Sequence, residues 1–178
     1  MLNSDLQKII EDGRKLASER RNEYITLEHL LFHLLRSEEV KTIMKNLPDP
    51  VDHLAVFRDV RDHLLGLPQQ NYQTTPETVS TVDRALKRAL SRRPGQSIGP
   101  VDLLFAIMEE PLSYGQYFLS KAGFRASEEN FRQSLDLLRK IQQAREDYHK
   151  DSGEQTNRPS NGGEAKASKG QEEKAVQE

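Results

Sequence analysis

The sequence predicts an all-α fold, a pseudo-symmetric tandem repeat of two four-helix bundles followed by a disordered C-terminal linker. Three observations lead to this prediction. The chain is similar to itself at a fixed offset, its apolar residues follow helical spacing, and its last residues almost lack apolar side chains. Alternating apolar and polar runs, which are typical of strands, are essentially absent.

The internal repeat is visible when the sequence is shifted by 73 positions. Ser18 then falls on Ser91, Arg20 on Arg93, Ile25 on Ile98, Leu30-Leu31-Phe32 on Leu103-Leu104-Phe105 and Leu34 on Ile107. One further position aligns Ile43-Met44 with Tyr117-Phe118. We therefore expect a domain over residues 1–148, with repeat one at about 1–70 and repeat two at about 77–148, joined by the stretch LPQQNYQTTPE.

Each repeat is predicted to contain four short helices. In repeat one they cover about 4–20, 27–36, 38–47 and 51–65, with Thr26 as the N-cap of the second helix and Pro48 after the third. In repeat two they cover about 81–92, 100–109, 113–122 and 128–148. Pro100 suits the first position of a helix, and Gly123 suits a position just after one.

The C-terminal segment, residues 149–178, is predicted to be a disordered linker. Its apolar residues are only Ala165, Ala167, Ala175 and Val176, which bury too little surface to offset the entropy of ordering. The N-terminus lacks the pattern of a signal peptide, and no apolar run approaches the ~20 residues that span a bilayer. We expect a soluble, cytoplasmic, monomeric domain that binds no membrane.

Three stretches of the chain resemble a known family. The opening MLNSDLQ, the block RRNEYITLEHLLFHLL and the later IGPVDLLFAIMEEPLSYGQYFLSKAG are similar to the Clp N-terminal repeat domain. The likeness covers about residues 1–140, is greatest to the ClpA type of unfoldase, and is most specific in the opening and in Thr26 to Leu31. Repeat two departs from that block, with Gly99-Pro100-Val101-Asp102 before its leucines.

The resemblance implies a non-catalytic docking domain of an ATP-dependent protease subunit. No G-x-x-x-x-G-K-[ST] motif occurs in the chain, so no phosphate-binding loop is present and no cofactor is expected. ATP would bind only in ATPase modules that this chain lacks, and the ClpP peptidase would be reached only through the full-length protein. A fragment cut in its linker is the favoured interpretation, and a free-standing Clp-repeat regulator without an ATPase is the alternative.

The family also implies where partners bind. Its docking surface for the adaptor ClpS and for protein substrates includes carboxylates near the second helix, which correspond to Glu23 and Glu28 here. Thr78, Thr81 and Arg125 lie near further contacts of the family. In the alternative interpretation, Glu28 only complements the dipole of its helix and Glu23 is a solvated loop residue.

Other site chemistries are disfavoured by their spacing. His29 and His33 stand at i, i+4, but the order Glu28-His29 departs from H-E-x-x-H and no third ligand is placed, so we expect no metal. Arg84, Lys87, Arg88, Arg92 and Arg93 crowd one helix, yet no aromatic residues interleave them and the net charge is −2. A solvated basic face, or one that meets an acidic adaptor or the ATPase ring, is therefore expected there rather than a nucleic-acid site. No G-x-S-x-G motif or other catalytic pattern is found.

Overall fold

Eight helices make up most of the structure, a computed structural model that describes residues 1–154. They confirm the all-α double repeat, with four helices in each copy. The helices are α1 (Ser4–Glu19), α2 (Leu27–Leu34), α3 (Glu38–Asn46), α4 (His53–Leu65), α5 (Ser80–Arg92), α6 (Pro100–Met108), α7 (Tyr114–Lys121) and α8 (Glu128–Glu154). None of these helices is both long enough and apolar enough to cross a membrane.

The last helix is longer than the sequence suggests. Helix α8 runs to Glu154 instead of ending near Tyr148, so the first residues of the predicted linker are helical. Residues 155–178, on which the rest of the linker prediction falls, lie outside the described residues. Residues 1–141 form one compact unit, and residues 142–154 are the described part of a second, in which the side chains of residues 142–153 are exposed.

The helix ends follow local capping chemistry. The Asn3 Oδ1 accepts a hydrogen bond from the Leu6 N–H at 2.9 Å and so caps α1. Pro100 occupies the first position of α6, where its missing N–H costs nothing. Gly123 follows α7 with a φ of 92°, a left-handed conformation that favours glycine.

Two short strands that the sequence did not predict join the repeats. Strand β1 (Tyr24–Ile25) lies just before α2, and β2 (Glu77–Thr78) lies just before α5. They pair in parallel, with Tyr24 opposite Glu77 and Ile25 opposite Thr78. The Glu77 N–H donates to the Glu23 carbonyl at 3.0 Å, and the Val79 N–H donates to the Ile25 carbonyl at 3.1 Å. The start of repeat two is thereby bonded to the segment before α2 of repeat one.

The start of repeat one is in turn bonded to the segment before α6 of repeat two. Leu2 forms a parallel bridge with Ile98, the residue that the internal repeat aligns with Ile25. The Asn3 N–H donates to the Ile98 carbonyl at 2.8 Å, and the Ile98 N–H donates to the Met1 carbonyl at 2.9 Å. A Cβ on Gly99 would lie 2.7 Å from Asn3 Nδ2, so a larger residue there would push aside the side-chain amide whose Oδ1 caps α1. Each repeat therefore begins by pairing with the other.

The connection between the repeats is held against repeat one. The Gln70 N–H donates to the Arg21 carbonyl at 2.8 Å, and the Gln73 side-chain amide donates to the Ser18 carbonyl at 3.0 Å. Arg21 has a φ of 53°, which lets the chain turn sharply after α1. These bonds position the residues that precede β2.

A single apolar core extends through both repeats. The central helices α2 and α6 are buried on most sides, as their leucine-rich sequences require. Phe105 of α6 contacts Phe124 and Phe131 edge-on, each with ring centroids 5.1 Å apart. The burial of α2 and α6 places the segments before them, including β1, at the junction of the repeats.

The four arginines of the basic face predicted on α5 are each paired with a carboxylate within the fold. Arg84 and Arg88 both donate to the buried Glu110 carboxylate, the second at 3.0 Å. Arg92 pairs with Glu109 and also lies over the Phe131 ring. Arg93 Nη1 lies 2.9 Å from Asp102 of α6. These partners neutralise the charge that would attract nucleic-acid phosphates.

We expect Glu110→Gln to lower the free energy of unfolding by about 2 kcal/mol at neutral pH. Burial raises the pKa of Glu110, but hydrogen bonds and charge from Arg84 and Arg88 outweigh it and lower the pKa. Removing the charge leaves Arg84 without a carboxylate partner and Arg88 with only Glu109, at 3.6 Å; this remaining pair and the partial exposure of both arginines keep the loss below the ~3–5 kcal/mol of a fully buried pair.

Urea denaturation at low salt measures this loss. Glu129→Gln, which removes an exposed pair with Arg132, is the matched control and should cost less than about 0.5 kcal/mol. Equal costs for the two substitutions would contradict the structural role of Glu110.

Candidate functional site

The structure brings two of the five predicted docking residues together at the strand pair. Glu23 immediately precedes β1 and Thr78 ends β2, and both are exposed. The backbone bond between Glu77 and Glu23 holds the two strands at this point. Tyr24 and Glu77 are exposed beside them. We call Glu23, Tyr24, Glu77 and Thr78 the strand-pair face.

The strand-pair face is acidic. The charge of the Glu23 carboxylate and a hydrogen bond with it raise the pKa of Tyr24, so the phenol stays protonated and can donate. Gln70 Nε2 also donates to Oε2 of the Glu23 carboxylate, at 3.5 Å. A second carboxylate, Glu77, is opposite Tyr24 in the strand register. The face can therefore receive cationic or N–H groups of a partner.

Glu28 has a different environment from Glu23. Its side chain is buried, with 5% of its surface exposed. Its Oε1 accepts a hydrogen bond from the Gly115 N–H at 2.9 Å, in the first turn of α7. A carboxylate at this end of a helix is favoured by the helix dipole. Glu28 thus links α2 of repeat one to α7 of repeat two, and its predicted contact with a partner stays a prediction.

The other two predicted residues lie further along the chain. Thr81 is half-buried in the first turn of α5, just after β2. Arg125 is exposed in the connection between α7 and α8, where its carbonyl accepts from Asn130 Nδ2 at 2.9 Å. None of the hydrogen bonds found in residues 1–154 joins Arg125 to the strand-pair face, so a partner that contacts both would have to bridge them.

A buried hydrogen-bond chain beneath β1 was not expected from the sequence. The Thr26 N–H donates to His29 Nδ1 at 3.0 Å, which makes His29 Nε2 the protonated nitrogen. That nitrogen lies 3.0 Å from Asn22 Oδ1, and Asn22 Nδ2 donates to the Pro68 carbonyl at 3.2 Å. These hydrogen bonds hold the residues on both sides of β1. Its one sequence signal is the N-cap-to-N3 spacing of Thr26 and His29, where a capping box usually has glutamate.

Burial and neighbouring charges shift the pKa values of the two histidines of α2. Desolvation is the main cause that lowers the pKa of His29 to about 4, although the neighbouring Glu28 charge opposes it. Desolvation also lowers the pKa of His33. Both ring nitrogens of His29 are used within the fold and are not available to a metal. In the part of the chain that the structure describes, no three His, Asp or Glu side chains are grouped to hold a metal ion.

Glu28→Ala should destabilise the domain by about 2 kcal/mol, because the buried Gly115 N–H then has no acceptor. Glu28→Gln keeps an acceptor oxygen and should cost less than about 1 kcal/mol. Urea denaturation of both variants measures these losses. If alanine and glutamine cost the same, the Gly115 contact does not carry the effect. Glu28→Gln is therefore the variant that separates docking from stability.

The stability of the domain should fall as the pH is lowered from about 6.5 to about 4. Above this window His29 is neutral in both states. Within this window His29 binds a proton in the unfolded chain but not in the folded one. The free energy of unfolding therefore falls by up to roughly 3 kcal/mol. His29→Gln should flatten this pH dependence by up to about one bound proton, because glutamine does not titrate. Urea unfolding across this range tests the prediction; identical slopes for His29→Gln and the unmodified chain would refute the assignment.

Comparisons with known proteins agree with this geometry. The family model described as the Clp repeat (R) N-terminal domain matches residues 1–122, which include β1, β2 and seven of the eight helices. No curated protein sequence matches the chain.

Three solved structures illustrate the similarity of the fold. The Hsp104 N-terminal domain from Candida albicans is 19% identical, with a TM-score of 0.65 over 78% of this chain and 91% of that one. The N-terminal domain of the ClpV1 ATPase from the E. coli EAEC Sci1 T6SS is 23% identical, with a TM-score of 0.64 over 77% and 85%. A ClpV N-domain in complex with a VipB peptide is 21% identical, with a TM-score of 0.52 over 70% and 79%.

The family match covers more than half of the chain, and the similar structures share its double helical repeat. The pattern predicted from the opening residues and the T-x-E-H-L-L block is thereby confirmed. This chain belongs to the Clp repeat N-terminal domain family.

Proposed function

We propose that this chain is the non-catalytic docking domain of a ClpA-like, ATP-dependent Clp protease subunit. In this role it binds a ClpS-like adaptor and protein substrates and passes them to the unfoldase, in the cytoplasm. The observation that carries the proposal is the strand-pair face, where the predicted residues Glu23 and Thr78 come together on an exposed, acidic surface. The peptide bound by the ClpV N-domain is a precedent for partner binding by this fold.

The strand-pair face suits a partner that presents amide and cationic groups. Its carboxylates are exposed, so they would set orientation and association rate more than affinity. Because β1 and β2 are held by backbone bonds and by the His29 chain beneath them, the face is preorganised and loses little entropy on binding. Because Glu28 is buried, it is better placed to support this surface from beneath than to form part of it.

A free-standing Clp-repeat regulator is the alternative function. It would use the same face for another protein and would need no ATPase. The coding sequence that follows residue 178 distinguishes the two, since a Walker motif there would indicate the protease subunit.

Titration of the full chain with a ClpS-like adaptor tests the proposal. We expect micromolar binding, weakened about fivefold by Glu23→Ala, because one exposed carboxylate contributes roughly 1 kcal/mol. Glu129→Ala, at an exposed carboxylate on α8, is the matched control and should change nothing. Binding that is absent in the unmodified chain, or insensitive to Glu23→Ala, would refute the assigned face.

A further inference from the structure

A groove in repeat one lies outside the strand-pair face. It is formed by the end of α2, by α3 and by the start of α4, and it has a volume of about 640 Å³. Val51, Leu54 and Phe57 form an apolar floor, and Arg36, Lys41 and Lys45 line the same groove. Leu54 is 60% exposed, so the groove presents an apolar side chain to solvent. We call this feature the α3–α4 groove.

The charges of the groove are unbalanced. Its one lining carboxylate, Asp52, accepts from the Ala55 N–H at 3.2 Å and caps α4. Lys41 lies 3.3 Å from Glu38, but this exposed i, i+3 pair is weak. The Arg36 guanidinium lies 5.9 Å from the Phe32 ring centroid, and Lys45 is exposed. Two lysines and one arginine therefore remain able to meet carboxylates.

The residues that line the groove differ from those at the equivalent positions of repeat two. With the offset of 74 that aligns Ile43-Met44 with Tyr117-Phe118, Lys41 corresponds to Gly115 and Lys45 to Leu119. Both are buried in repeat two. Exposed Leu54 corresponds to Glu128, a charged residue suited to solvent. The exposed leucine and the two lysines are therefore not demands of the fold, which repeat two builds without them.

We propose that the α3–α4 groove binds an acidic amphipathic peptide segment of a partner protein, with apolar side chains on the floor and carboxylates at Arg36, Lys41 and Lys45. The apolar floor accounts for affinity, and the three cations select acidic over basic segments. This site would be separate from the adaptor contacts at Glu23 and Thr78, so the domain could hold two partners at once.

The test uses a fluorescein-labelled peptide of about ten residues, roughly three helical turns, that combines leucine and phenylalanine with glutamate. Fluorescence anisotropy with the full chain should show saturable binding. Lys41→Glu/Lys45→Glu and Leu54→Ser should each weaken it at least about tenfold, the equivalent of 1.4 kcal/mol. Lys87→Glu/Lys140→Glu, which substitutes two exposed lysines on α5 and α8, is the charge-matched control and should leave binding unchanged.

Control probes distinguish other occupants. A peptide with lysine in place of glutamate, and one with serine in place of leucine and phenylalanine, should both bind at least about tenfold more weakly. If the serine peptide or a single-stranded DNA of equal charge binds as well, the groove is only a polyanion site and the proposal fails. Unchanged binding by Lys41→Glu/Lys45→Glu also overturns it.

Binding of the acidic peptide should survive Glu23→Ala. Weakened adaptor binding in that variant with unchanged peptide binding identifies two separate surfaces. Retained adaptor binding in Lys41→Glu/Lys45→Glu completes the comparison, so failure of either site is recognisable without the other.

Discussion

The reciprocal pairing of the two repeats is the constraint on which the domain depends. The start of repeat two is bonded to the segment before α2, and the start of repeat one is bonded to the segment before α6. Because α2 and α6 are the most buried helices, these four short segments cannot move without disturbing the core. The strand-pair face lies on these segments and is therefore held in place as well. The carboxylate of Glu28, which reaches Gly115 across the repeats, adds a third connection at the same junction.

Most of the helical architecture could be predicted, because it follows from local chemistry. Thr26, Pro100 and Gly123 each act at a helix end as their residue types suggest, and apolar spacing found all eight helices. Strands of two residues have no measurable period, so β1 and β2 could not be found in this way. The one sequence signal for the strand pairing is the internal repeat. It makes Ile25 and Ile98 equivalent, and each of them pairs with a residue of the other repeat.

The side-chain environments were less predictable than the helices, because they depend on residues distant in sequence. The arginines of α5 looked solvated until α6 and its end placed Glu109 and Glu110 against them. Glu28 looked exposed in the first turn of α2, but α7 covers it with a backbone N–H. Glu23 and Thr78 were predicted separately, and only the strand register shows that they share one surface. The family resemblance supplied the residues, and the tertiary structure shows which of them are exposed and which are buried.

The paired segments have the symmetry of a dimer. In an isologous dimer, a surface of each subunit contacts the equivalent surface of the other in the same manner. Leu2 with Ile98, and Thr78 with Ile25, obey this rule within one chain. The connection between α4 and β2 turns that association into an intramolecular event, so its strength does not depend on protein concentration. Once joined in this way the two halves no longer need to be identical, which leaves repeat one free to carry Lys41, Lys45 and Leu54 where repeat two has other residues.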